Sequence, residues 1–152
     1  MYLELGKRLA LAGDEGTVEA LGHFRAALVG RPAHVVPHNN LGVMLLRQRD
    51  AAGAARCFGE AVAYFDARLR ERIYCNLGLA AAATGDRDGA LCWYRKAAQD
   101  PSCTAAHFRL GEALADQGEW AEAAHWLQQA VTLQPGHARA QAILRRVLAR
   151  QR

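Results

Sequence analysis

Apolar and small residues recur along this chain at intervals of three and four, the period of a helix face, and not at intervals of two. One kind of segment opens on an aromatic residue or histidine, places Leu-Gly at the third and fourth positions beyond it, and closes on a further apolar residue. Tyr2, Leu5, Gly6 and Leu9 show it first, then His38, Leu41, Gly42 and Leu45, then Tyr74, Leu77, Gly78 and Ala81, and last His107, Leu110, Gly111 and Leu114. A second segment follows each: Ala20, Phe24, Ala27; Ala54, Phe58, Ala61; Ala90, Tyr94, Ala97; and Ala123, Leu127, Ala130. These second segments lie 34, 36 and 33 residues apart. Pro32, Pro101 and Pro135 close three of the units, and Asp66 stands where the other proline would be.

Every unit therefore predicts a pair of helices. The clusters AGDEG, QRDAAG, ATGDRDG and DQGEW end the first helix and offer Asp or Thr caps to the second. Connections this short dictate antiparallel hairpins. The fixed glycine is expected where two helices cross, since Gly and the two alanines of the second helix let backbones approach. Leu41, Leu45 and Phe58 then fill the space beside it. Glu60 to Leu77 contains neither Gly nor Pro, which predicts an elongated helix between the second and third units. After Pro135, the stripe Ala140, Leu144, Val147 and Leu148 predicts a final helix covering the last unit, with Arg139, Arg145, Arg146 and Arg150 on its solvent side. At the front, Tyr2, Leu3, Leu5 and Leu9 begin a helix with no cap ahead of it, so weak self-association or an upstream segment is expected there.

Composition narrows the class. A chain of 152 residues that is 51% apolar and 22% charged can bury a sizeable core as one domain. No basic head precedes an apolar run and no eighteen apolar residues run together, so neither a secretion signal nor a membrane span is expected, and the location expected is cytoplasmic. Cys57, Cys75, Cys92 and Cys103 form no CxxC and read as reduced thiols. The formal charge of +4 is local: residues 139–152 hold five Arg and no acid, and the rest of the chain holds 14 basic and 15 acidic residues. No aromatic residue interleaves with those arginines, so nucleic acid is not an expected partner.

The four in-register segments from Tyr2 to Pro135 resemble the tetratricopeptide repeat, whose signature is aromatic-x2-Leu-Gly-x2-Tyr, then Ala-x3-Phe, Ala and Pro over about 34 residues. His38 and His107 depart from the aromatic, Leu127 from the Phe, and two extra residues lie within DEGTVEAL. Residues 93–98, WYRKAA, are also similar to Sel1-like repeats, whose turns are longer than those found here. The resemblance implies an all-α, right-handed superhelical solenoid as a single domain over 1–152. Repeats are expected at about 1–34, 35–68, 69–103 and 104–137, with a capping helix over 138–152.

Catalytic chemistry finds no convergent set: the chain has no GxSxG, phosphate loop or HExxH, and single His, Cys and carboxylates fall in different units. His34 and His38 have the spacing of a helical metal pair, but Pro32 and Pro37 bracket His34, and His38 occupies a core position. No enzyme activity, metal or cofactor is expected. Trp93 and Trp126, one place before the core aromatic, and Trp120 in a turn are expected to pack.

With the Leu-Gly stripe committed to the core, the opposite face of the first helices carries Val36, Asn40, Val43 and Arg47, then Arg72, Asn76, Leu79 and Ala83, then Ala105, Arg109, Glu112 and Asp116. The resemblance implies that this face lines a concave groove receiving peptides or helices. Asn40 and Asn76 offer a donor and an acceptor suited to a peptide backbone, and Arg72 and Arg109 suit carboxylates. Val43, Leu46, Leu79 and Phe108 would form an apolar floor. Of the two-carboxylate clamp of chaperone-tail-binding members, only Asn40, Arg72 and Asn76 match, and Leu3 stands where a clamp lysine belongs. The expected function is a protein-interaction scaffold that binds a protein or peptide partner through Asn40, Val43, Arg47, Arg72, Asn76, Leu79, Phe108 and Arg109. The alternatives are a basic C-terminal helix binding nucleic acid or an anionic surface, and a structural oligomerisation module.

Overall fold

A computed structural model describes residues 14–30, 34–63 and 69–151. Among them are eight helices: α1 (Asp14–Gly30), α2 (Val35–Arg47), α3 (Ala51–Ala63), α4 (Arg70–Ala83), α5 (Arg87–Ala97), α6 (Thr104–Asp116), α7 (Trp120–Leu133) and α8 (Ala138–Arg150). Helices α2 and α3, α4 and α5, and α6 and α7 form three hairpins. The first helices α2, α4 and α6 also touch one another in sequence, and α8 continues that row against α6. The result is an all-α solenoid of stacked helix pairs. The expectations at Tyr2, Leu3, Leu5 and Leu9, including self-association through them, lie outside the described residues. So does the elongated helix, which would run through residues 64–68.

The hairpin turns follow one geometry. Each first helix ends with a left-handed residue, Arg49 (φ 63°), Gly85 (φ 85°) or Gly118 (φ 83°). Around it, the Asp50, Asp86 and Glu119 N–H groups donate back to the Leu45, Ala81 and Leu114 carbonyls, satisfying groups a helix end would leave bare. Glycine carries no Cβ penalty in that conformation, and Arg49 does. Asp50 and Asp86 then cap α3 and α5, each accepting from the Gly53 or Gly89 N–H at 2.8 Å, as the turn clusters predicted. The fourth unit differs: Glu119 precedes α7 without a side-chain cap.

The fixed glycine seats a side chain. A Cβ on Gly42 would lie 2.5 Å from the Phe58 ring, and one on Gly78 would strike the Tyr94 ring. At Gly111, where Leu127 is the smaller partner, backbone is among the nearest atoms, with the Leu127 nitrogen 3.0 Å from the Cβ position. The aromatic partner is thus held against a bare stretch of helix, and at Gly111 the backbone approach expected from the sequence is seen directly. Phe24, Phe58, Leu110 and Leu127 are at most 1% exposed, and burial of such side chains contributes roughly 1.5–3 kcal/mol each.

The core is a ribbon with a seam at α4. Ile73, Leu77 and Ala80 pack toward α2 and α3, while Cys75 packs toward the last two hairpins and α8. A helix inside a stack buries residues on both flanks. At the end of the ribbon α8 buries Ala140, Ile143, Leu144 and Val147. Leu148 is 45% exposed, so Ile143 replaces it in the expected stripe.

Candidate functional site

The face of α2, α4 and α6 away from the hairpin partners is the candidate site, and its chemistry differs from one junction to the next. Between α2 and α4 the junction is made of amides. Asn76 Nδ2 donates to Asn39 Oδ1 at 2.8 Å, and Asn39 Nδ2 reaches Asn40 Oδ1 at 3.5 Å. Asn39 is only 4% exposed, and Asn40 and Asn76 are half-buried. The chain of amides fixes the outer two in opposite senses. Asn40 keeps its Nδ2 donor and Asn76 its Oδ1 acceptor unspent by these bonds. Val43 and Leu79, one turn further along, are half-buried.

Between α6 and α8 the junction is ionic and aromatic. Arg109 Nη1 lies 3.1 Å from Glu112 Oε2, and Arg139 Nη2 lies 2.5 Å from Glu112 Oε1. Glu112 is thus shared by two guanidinium groups, which leaves the cluster one positive charge in excess. Phe108 is 5% exposed, its ring 4.5 Å from that of His137. Both Arg109 and Arg139 lie over it, at 5.5 and 5.8 Å. Phe108 is therefore not an open floor for a ligand, as the sequence reading had it, but the base on which the arginines rest. Arg139 is 67% exposed, on the solvent side of the last helix as expected, and reaches Glu112 from there.

The remaining predicted residues lie apart. Arg47 is exposed at the last turn of α2 and Arg72 exposed in the first turn of α4. They are eleven register positions apart, about 16 Å of helix rise, so the two cannot grip one carboxylate. Asp116, near the far end of α6, does not touch Arg109's partners. It lines a cleft of about 440 Å³ with Ala82, Arg87, Ala90, Ala113 and Gln117, between the α4–α5 and α6–α7 hairpins.

The histidines and tryptophans pack. His38 is 6% exposed with Nδ1 3.0 Å from Glu60 Oε2, and His34 lies one residue ahead of α2. His107, 3% exposed, stacks on Trp126 at 5.4 Å, and burial lowers its pKa. Trp93 stacks on Tyr74 at 5.7 Å with the Lys96 ammonium 4.3 Å above its ring. Arg150 lies 5.9 Å from the Trp120 ring. Among the described residues no group of His, Cys, Asp or Glu is arranged to hold a metal ion, and no helix is long and apolar enough to cross a membrane.

Two family models, both described as the tetratricopeptide repeat, match residues 39–102 and 104–137. The chain belongs to the tetratricopeptide-repeat family, a class of protein-interaction scaffolds. A search of curated proteins by sequence found no match. Solved structures share the fold. YrrB, described as a repeat protein of this family with an unusual peptide-binding site, is 20% identical, with 99% of this chain and 76% of YrrB covered and a TM-score of 0.76. PilF of Pseudomonas aeruginosa is 20% identical over 99% of this chain and 67% of its own, with a TM-score of 0.88. MamA is 18% identical over 97% and 84%, with a TM-score of 0.81.

Proposed function

We propose that the concave face binds an extended or helical segment of a partner protein, and that the amide chain Asn76–Asn39–Asn40 is the observation that carries this reading. The outer amides are held so that Asn40 presents a donor and Asn76 an acceptor, the complement of one peptide unit's carbonyl and N–H. Val43 and Leu79 supply apolar contact beside them. The excess charge of Arg109, Glu112 and Arg139 takes one acidic group on the ligand. Arg72 and Arg47 flank the face at its two ends. A mixed ligand, apolar with a single acid, fits this better than an acidic tail. YrrB's description as a peptide-binding protein of the same fold supports the reading.

The exposed Arg145 and Arg146 of α8 are what favours the anionic-surface alternative. It is weakened because Arg139 and Arg150 of the same helix are engaged with Glu112 and Trp120. A random-peptide display library selected on the wild-type chain separates the two readings. Selected peptides should lose binding to Asn40→Ala and to Arg109→Ala and keep it with Arg145→Ala/Arg146→Ala. A neutral amide contact is worth about 0.5–1.5 kcal/mol and a charged one about 1.5–3 kcal/mol. Because Glu112 already engages Arg109, the loss at Arg109 should lie near the lower bound, about tenfold. Loss of binding in the Arg145/Arg146 variant alone, steep with salt, would instead assign the site to α8.

A further inference from the structure

The cleft beside Asp116 exists because one pair of repeat positions holds no large apolar side chain. The turns fix the register: the Asp50, Asp86 and Glu119 N–H groups bond to the Leu45, Ala81 and Leu114 carbonyls. Ala82 of α4 therefore matches Leu46 of α2 and Ala115 of α6, and Arg87, the first residue of α5, matches Ala51 of α3 and Trp120 of α7. In the α2–α3 hairpin Leu46 supplies the large side chain, and in the α6–α7 hairpin Trp120 does, each partly buried against the core. The α4–α5 hairpin has alanine at one place and arginine at the other. A cleft of about 440 Å³ remains, with Ala82, Ala90 and Ala113 as its apolar lining.

Opposite charges border that lining, Arg87 from α5 and Asp116 from the last position of α6. The register shows that the two places face each other. Arg150 stands in α8 where Asp116 stands in α6, counted from the N-caps His137 and Cys103, and Arg150 lies 5.9 Å from the ring of Trp120, the match of Arg87. Among the described residues neither the Arg87 nor the Asp116 side chain has an ion-pair or hydrogen-bond partner. Asp86, next to Arg87, is spent on the Gly89 N–H. Each charge also stands at the helix end whose dipole opposes it, a cation at the start of α5 and an anion at the end of α6, so neither is placed for helix stability.

We propose that this cleft binds a free amino acid with a large apolar side chain, of which L-leucine is the simplest case. The carboxylate pairs with Arg87 and the ammonium with Asp116. The side chain lies on Ala82, Ala90 and Ala113, supplying the bulk that Leu46 and Trp120 supply in the other two hairpins. Both charges belong to one small molecule, because the backbone of an internal peptide segment carries neither. The volume falls in the range of small-molecule sites, roughly 300–1,000 Å³. Asn40, Asn76 and Arg109 take no part, so the site stands or falls separately from the concave-face reading.

The test is a titration of the full chain with L-leucine, followed by backbone amide NMR. Amides of Ala82, Arg87, Ala90, Ala113 and Asp116 should shift together, with a Kd of about millimolar order, as suits so small a ligand. L-leucinamide lacks the carboxylate, N-acetyl-L-leucine lacks the ammonium, and each should bind at least about tenfold more weakly. Arg87→Gln and Asp116→Asn change exposed side chains and should lose leucine binding by a similar factor while melting no lower than the wild type. Ala82→Leu, which copies Leu46, should close the cleft and abolish binding with the helical content unchanged. Cleft amides that stay in place up to the solubility limit of leucine would overturn the proposal. So would leucinamide or N-acetyl-leucine binding as tightly as leucine, or leucine binding undiminished by Ala82→Leu.

Discussion

The crossings inside the hairpins and the junctions between them are built in opposite ways. At the three crossings the same contact is repeated: a glycine on the first helix receives Phe58, Tyr94 or Leu127 from the second. At the junctions the partners change: Asn39 of α2 meets Asn76 within α4, whereas Phe108, at the same place in α6, meets His137 ahead of α8 with arginines over its ring. A crossing must close the gap between two helices and tolerates little variation, because interiors are packed to crystal density. A junction lies between successive first helices, where a change in polarity alters the exposed surface without parting the helices. Stability is therefore expected to concentrate in the repeated contacts, and under the proposed function specificity in the varied ones.

The largest expected effect removes a crossing outright. Phe58→Ala should lower unfolding stability by about 3–5 kcal/mol in urea titrations, because the ring is 0% exposed and leaves a cavity against Gly42. A loss below 1 kcal/mol would show that the crossing is not where stability resides. Next in size is Gly78→Ala, whose methyl group would meet the Tyr94 ring, at a cost of about 1–3 kcal/mol. Its control is Gly59→Ala on the exposed face of α3, where a Cβ meets nothing within 4 Å. That change should stabilise the chain by up to about 1 kcal/mol through helix propensity. Equal responses at the two glycines would break the comparison.

A pH titration sharpens it for the α6–α7 hairpin. His107 packs against Trp126 near Asp100 and His125, and burial holds its pKa below the ordinary 6.5. As pH falls below 6.5 the unfolded chain takes up a proton that the folded chain resists, so the neutral ring's contribution is present above 6.5 and lost on acidification. His107→Tyr, which copies Tyr74 at the same register position, should flatten the stability profile between pH 7.5 and 5. An unchanged slope would mean His107 is not the group responsible. The smallest expected effect is at a turn. Arg49→Gly relieves a left-handed residue and should add about 1 kcal/mol at most to the melting stability, while Gly85→Ala, at the same place in the next turn, should lose a similar amount.

The crossings were legible in the sequence because a close-packed contact forces the same residues into the same spacing each time. Four copies of Leu-Gly and Ala-x3-aromatic betray the period even where Leu127 replaces the ring. The junctions were legible only in part. Helix geometry could place Asn40 and Asn76 on the face opposite the Leu-Gly stripe, but Asn39, adjacent in sequence and nearly fully buried, gives no sign in a periodic pattern that it is bonded to Asn76. Arg139 was hidden for a different reason. The last helix reads as a lid with a charged outer surface, and only its alignment beside α6 brings Arg139 to Glu112.

The most direct test of the concave-face account is a side-chain amide and guanidinium NMR spectrum of the chain, recorded while a peptide selected on it is added. Helices α2, α4 and α6 are predicted to carry the response, with the Asn40 and Asn76 amide pairs and the Arg109 guanidinium shifting together at one affinity. Resonances of Arg145 and Arg146 on α8 should stay in place. Shifts confined to Arg145 and Arg146, with the Asn40 and Asn76 amides unmoved at saturation, would contradict the account.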